Sequence, residues 1–228
     1  MPDSFCAAII GKRNSGKTYL LREILKSEAW DPYNFHVIII VSPTLHLQTE
    51  FWDGINPRGV LFVPSLNNGI LEAIINERAK AKKRLLFPID SDDESGLDSD
   101  SDDELAPKDR FYHCLVITDD IGYETRVNAD SKKGSVLDKL SFKGRHHRIS
   151  SIQLCQKWTQ MTPGYRSQLD WFLWAGSSNK HEVTCVYKEF SDEDNIKEYR
   201  QELKKIFNTN YAWLYVENTK GRLHTEKL

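Results

Sequence analysis

The chain has 228 residues, 39% hydrophobic and 28% charged, proportions that suit a soluble globular protein with one sizeable core and are read as a single domain over 1–228. No apolar run approaches the ~18 residues of a membrane-spanning helix, and no secretory leader pattern is expected. The net charge of -2 hides an asymmetry: nine acidic and no basic residues lie between Asp90 and Glu104, which leaves 24 acids against 31 bases elsewhere, about +7. A basic remainder is compatible with a polyanionic partner without requiring one.

The first informative stretch is Gly11-Lys12-Arg13-Asn14-Ser15-Gly16-Lys17-Thr18, which matches the phosphate-binding pattern Gly-x-x-x-x-Gly-Lys-[Ser/Thr] at every fixed position. Phe5 to Ile10 before it reads as a buried strand, and Tyr19 to Leu25 after it has helical apolar spacing. Strand, loop and helix are the context in which backbone N–H groups and a helix N-terminus cradle phosphate oxygens. Gly11, Asn14, Ser15, Gly16, Lys17 and Thr18 are the candidate ATP-binding residues. Lys17 is assigned to the β- and γ-phosphates and Thr18 to Mg²⁺.

Phe35 to Val41 is a β-branched run of the kind buried on both faces of a sheet, and Gly59 to Pro64 reads as a short edge strand. Ile70 to Lys82 has helical spacing. Residues 90–107 are Asp-, Ser- and Glu-rich and predict a disordered acidic insert, in which Ser91 and Ser101 each precede Asp-Asp-Glu, a context that acidophilic kinases favour. The insert reads either as a solubilising loop or as a strip that competes with a polyanion for the basic surface.

Tyr112 to Asp120 is an apolar strand ending in two carboxylates, the form of a Walker B segment. Asp119 is the expected second Mg²⁺ ligand and Asp120 the expected base that polarises the attacking water; capping of the following turn is the alternative. After a helix over Leu137 to Phe142, Lys143, Arg145 and Arg148 precede a strand over Ile149 to Gln156. Gln156, at that strand's tip, suits a γ-phosphate sensor or a simple loop contact. Lys143, Arg145 and Arg148 belong at the strand's other end, better placed for DNA or a neighbouring subunit. Met161 to Gln168 starts a short helix whose Arg166 suits an arginine finger across a subunit boundary, a surface ion pair or a phosphate contact. Trp171 to Gly176 is a further strand, Ser191 marks the start of a helix to about Phe207, and Tyr211 to Glu217 with Arg222 to Thr225 reads as a terminal hairpin. Cys6, Cys114, Cys155 and Cys185 form no Cys-x-x-Cys pair and lie in or beside apolar runs, which predicts buried free thiols rather than a disulfide or zinc scaffold.

Alternating strands and helices predict an α/β fold of the P-loop NTPase type: a central, mainly parallel sheet flanked by helices, with the additional strand of Gln156 and a C-terminal β-hairpin. Gly11 to Thr18, Ile117 to Asp120, Arg145 to Ile152 with Gln156, and Pro163 to Arg166 before Asp170-Trp171-Phe172 together resemble the poxvirus-type genome-packaging ATPases of the FtsK/HerA superfamily, found also in giant viruses, virophages and Maverick/Polinton elements. The resemblance spans about residues 4 to 176, and its last two segments are the discriminating ones. It implies an ATP-driven motor of five or six subunits in a ring, threading double-stranded DNA through a basic channel into a preformed capsid at its portal vertex. The kinase-like contexts of Ser91 and Ser101 point toward a eukaryotic host cell, and the expected location is a virus factory or the nucleus. Channel-facing lysines would include Lys132, Lys133, Lys139 and Lys143. The family commonly carries Asp-Glu where this chain has Asp119-Asp120, and the acidic insert is no hallmark of it. From the residues alone, a nucleotide kinase, a helicase-like ATPase and a non-motor nucleotide switch stay open as alternatives.

Overall fold

The computed structural model describes residues 4–27, 35–44, 52, 55, 60–65, 68–86, 113–121, 135–190, 195–209, 211–218 and 225–227. The acidic insert, Ser91, Ser101, Lys132 and Lys133 lie outside these residues. The elements, in chain order, are β1 (Cys6–Ile10), α1 (Lys17–Lys26), β2 (Val37–Val41), β3 (Val60–Val63), α2 (Asn68–Leu86), β4 (Cys114–Asp119), α3 (Val136–Lys143), β5 (Ile149–Cys155), α4 (Pro163–Ser167), β6 (Trp171–Trp174), α5 (Lys180–Phe190), α6 (Ile196–Ile206), β7 (Leu214–Glu217) and β8 (Thr225–Lys227).

Eight strands form one sheet in the order β3-β2-β4-β5-β1-β6-β7-β8. The first six are parallel and β6-β7-β8 are antiparallel. The edge position of β3, the place of the Gln156 strand beside the Walker B strand and the antiparallel C-terminal pair follow the sequence expectation, and the sheet further inserts β5 between β4 and β1. β1, β4 and β5 are buried at every position: β1 and the first four residues of β4 are unbroken apolar runs, while β5 also buries Ser150, Ser151 and Gln153.

Side chains alternate between two apolar layers. Ala7, Ile9, Leu115, Ile117, Ile152 and Leu154 face the layer that receives Leu21 and Leu25 of α1. Cys6, Ala8, Ile10, Val116 and Phe172 face the other, where Leu140, Tyr165, Val183 and Leu203 pack from the helices. Trp158, Phe172 and Phe190 form a ring cluster with centroids 5.0–5.2 Å apart. All four cysteines are free; Cys6, Cys114 and Cys155 are buried and Cys185 is half-buried. Burial pushes the Cys6 thiol up to about 11 and those of Cys114 and Cys155 to about 12, so all three are protonated, inert core groups.

Two sequence readings are corrected. The last long helix begins at Ile196 with Asn195 as its cap, the Asn195 side chain accepting from Lys197 N at 2.9 Å, rather than at Ser191. A helix over Lys180–Phe190 precedes it, which isolated apolar runs do not reveal.

Candidate functional site

Parallel pairing brings the strand ends to one level. Ile10 aligns with Cys155 and with Trp174, and Asp119 aligns with Leu154. The loop after β1, the carboxylates ending β4 and the glutamine after β5 therefore meet at the carboxyl edge of the sheet, where α/β sheets bind ligands.

The phosphate-binding loop is tied at its start by Gly11 N donating to Cys155 O at 3.1 Å and closed by Ser15 N donating to Lys12 O at 3.2 Å. A Cβ on Gly11 would lie 2.5 Å from Ser15 Oγ and 2.9 Å from the Ala175 Cβ, so only glycine lets the loop lie this close to β6. Asn14 and Gly16 are left-handed, with φ of 60° and 86°, a bend that turns successive N–H groups toward one concave side. α1 has no side-chain cap and no acidic residue in its first turn, which leaves its N-terminal N–H groups and positive dipole end available to an anion. The buried Ser15 hydroxyl has no partner among the described residues.

Lys17 Nζ donates to Gly11 O at 2.9 Å and Lys12 O at 3.2 Å, so its ammonium is held inside the loop and a phosphate competes with two carbonyls for it. Burial pulls its pKa down, opposed chiefly by the Asp119 carboxylate. Asp119 is buried, and Thr18 Oγ1 lies 3.4 Å from its Oδ2. Burial pushes the Asp119 carboxyl up; Lys17 and the Thr18 hydroxyl counter it, and Asp120 adds to it. Two hard oxygens side by side, one on a carboxylate whose charge is poorly compensated, suit Mg²⁺, and Thr18 and Asp119 are the residues that could hold it.

Asp120 follows with a left-handed backbone, φ 54°, and an exposed carboxylate. Its Oδ1 accepts from Gln156 Nε2 at 2.8 Å. The candidate base and the candidate sensor are thus one hydrogen-bonded unit, a pairing that needs the adjacency of β4 and β5 and could not be read from residues 36 apart. Gln160 supports it: its Oε1 accepts from the backbone N–H of Gln156 at 2.8 Å and of Lys157 at 3.0 Å. That positioning role escaped the sequence reading, in which Gln160 matched no motif.

The arginines sit elsewhere. Lys143, Arg145 and Arg148 lie at the amino end of β5, across the sheet from the loop, where the sequence reading put them. Arg145 Nη2 is 3.0 Å from Asp170 Oδ2 and donates to Gln168 O at 2.6 Å. Arg166 Nη2 is 3.1 Å from Glu189 Oε1, with its guanidinium 5.6 Å from the Trp158 ring centre and its side chain only 15% exposed. Of the surface-ion-pair and finger alternatives for Arg166, the geometry displays an ion pair, drawn inside the fold. Lys139 pairs with Glu72 at 2.5 Å, and Lys143 is exposed.

Strand order, loop and paired carboxylates define a P-loop NTPase fold of the additional-strand type. The chain belongs to the Poxvirus A32 protein family, whose model matches residues 1–209. Among solved structures it is similar to the genome packaging NTPase B204 of Sulfolobus turreted icosahedral virus 2 in complex with ATP-gammaS, with 16% identity over 100% of this chain and 98% of that one and a TM-score of 0.64. It is similar to B204, the DNA-packaging ATPase of Sulfolobus turreted icosahedral virus, at 18% identity over 99% and 98% of the two chains with a TM-score of 0.64. The pCW3 conjugation coupling protein TcpA follows at 12% identity, 99% and 60% coverage and a TM-score of 0.58. No curated protein sequence matches the chain. No helix among the described residues is long and apolar enough to cross a membrane.

Proposed function

We propose that this chain is a Mg²⁺-dependent ATPase that drives double-stranded DNA into a viral capsid as a subunit of a ring, in a eukaryotic host cell. The observation that carries the ATPase reading is the convergence at one sheet edge of the Lys17 loop, the Thr18–Asp119 pair and the Asp120–Gln156 pair. Membership of the Poxvirus A32 family, and the likeness of fold to proteins described as packaging NTPases, support the motor reading.

Mg²⁺ bound between Thr18 and Asp119 would supply charge neutralisation on the β- and γ-phosphate oxygens. The chain's own groups do the rest. The N–H groups of residues 11–18 and the α1 terminus bind the phosphates, and Lys17 leaves the carbonyls of Gly11 and Lys12 to bridge β and γ. Asp120 accepts a hydrogen bond from the attacking water and takes its proton as the bond to the γ-phosphorus forms, while the bond to the β–γ bridging oxygen breaks and its electron pair leaves with ADP. Gln156, which orients Asp120 through Nε2, reaches the same water or a γ-oxygen, so loss of the γ-phosphate changes the partner of its amide. Sequence-independent DNA contact through loops and exposed cations such as Lys143 would make stimulation by DNA fall with salt.

A trans role for Arg166 belongs to the same proposal and requires its pair with Glu189 to open. The test is ATP turnover against protein concentration, with and without long double-stranded DNA. Turnover that rises with both, together with rescue of an inactive Arg166→Ala chain by an Asp120→Asn chain, supports the motor. Concentration-independent turnover that ignores DNA defeats the motor while leaving the ATPase standing.

A further inference from the structure

A cavity of about 800 Å³ opens beside the phosphate-binding loop, between the ends of β5 and β6 and the helices α5 and α6. Four cations line it, Lys12, Lys180, Arg200 and Lys204, and no carboxylate among the described residues does. Arg200 Nη2 donates to Thr184 Oγ1 at 3.1 Å, which fixes the guanidinium, while its buried Nε has no partner among the described residues. The floor is apolar and built: Val183 and Leu203 are each 6% exposed, and the Phe207 ring lies across Gly176 and edge-on to Trp174 at 5.7 Å.

The cavity belongs to the apolar layer of α5 and α6, whereas α1 packs on the opposite layer. It therefore lies across the loop from the Thr18–Asp119 pair. Lys12 is the loop residue that reaches it, and Gln156, whose amide holds Asp120, lines its wall. A cationic rim above an aromatic floor, at a volume within the usual range of ligand pockets, calls for a phosphate carried on a flat apolar group.

We propose that this cavity is a second site, distinct from the ATP site, for a nucleotide-type phosphate ester: a free mononucleotide or one nucleotide unit of a nucleic acid. Arg200, Lys204, Lys180 and Lys12 take the phosphate, and the base lies against Phe207. Because Gln156 belongs to both sites, occupancy reports directly to the residue that orients the base of hydrolysis. That last step rests on the ATPase reading; the binding site does not.

The test measures radiolabelled AMP binding by equilibrium dialysis, with the ATP site first saturated by Mg·ADP. The expected result is one further equivalent of AMP per chain, displaced by a short single-stranded oligonucleotide if the natural source is a nucleic acid and by nucleoside monophosphates alone if it is free nucleotide. Either displacement pattern supports the site. Lys204→Glu and Lys180→Glu, at exposed positions outside the ATP site, should each weaken that equivalent roughly tenfold or more while ADP affinity stays unchanged. Absence of a further equivalent, a further equivalent indifferent to both reversals, or displacement by inorganic phosphate as effective as by AMP each overturns the proposal. Failure of ADP itself to bind would instead defeat the ATPase reading, so the two failures are separable.

Discussion

The two edges of the sheet use the same residue types to opposite ends. At the amino edge the charges are spent within the fold: Asp170 Oδ2 accepts from Cys6 N at 2.8 Å and pairs with Arg145. At the carboxyl edge Asp119, Asp120 and Lys17 converge, and Asp119 is buried with its ionised form disfavoured. One edge fastens the strands and the other stores unmet charge for a ligand. Buried charge is retained at a cost where chemistry needs it.

The difference can be broken first at Lys17. Lys17→Ala should lower ATP turnover by roughly two orders of magnitude or more, because a charge aimed at the transferring phosphoryl group is lost, while the melting temperature barely moves. Asp120→Asn should lower kcat by about 10² or more with little change in ADP affinity, and Gln156→Ala should do the same more weakly, since it loosens rather than removes the base. Single-turnover hydrolysis separates these from a product-release defect.

At the amino edge the expected effect is on stability. Arg145→Ala should cost about 1–3 kcal/mol, read by urea unfolding, because it leaves the Asp170 carboxylate buried without its cation, and per-molecule hydrolysis should stay near that of the parent. A collapse of turnover in a folded Arg145→Ala protein would erase the distinction between the edges.

The smallest effect sharpens the comparison through pH. Burial raises the Asp119 carboxyl, so the folded state holds that proton more tightly than the unfolded one, and stability contributed by the protonated form is lost as pH rises from the ordinary carboxylate range through the raised value. Asp119→Asn should flatten that slope and leave the protein at least as stable as the parent at neutral pH, while abolishing Mg²⁺-dependent hydrolysis. Chemical denaturation from pH 4 to 8 checks it; a destabilised Asp119→Asn would show that the carboxylate is a fastener after all.

Much of this architecture was legible in the chain. β-Branched and apolar runs ended by Pro, Gly or Asp-Asp marked the parallel strands because strands buried on both faces need unbroken apolarity. The loop was legible because its mechanism demands fixed glycines. α5 was not, although Val183, Val186 and Phe190 have helical spacing, because its flanks are polar and it carries a buried glutamate, Glu182, satisfied only in three dimensions by Thr159 Oγ1 at 2.6 Å. The support of Gln156 by Gln160, the closure of Arg166 onto Glu189 and the cationic cavity all depend on segments that meet only after the sheet forms. Local pattern carries no record of them.

The place of β1 in the sheet has a consequence for the newly made chain. β1 leaves the ribosome well before β5 and β6, the strands that flank it, and Cys6 N waits for a carboxylate 164 positions later. Contacts of such separation form slowly and late. A growing polypeptide that stops short of Trp174 has its phosphate-binding sequence complete but lacks the strand whose end, at Ala175, packs against Gly11. The packed form of the phosphate-binding loop therefore waits for β6, so that a growing chain carries the motif well before it carries the built site.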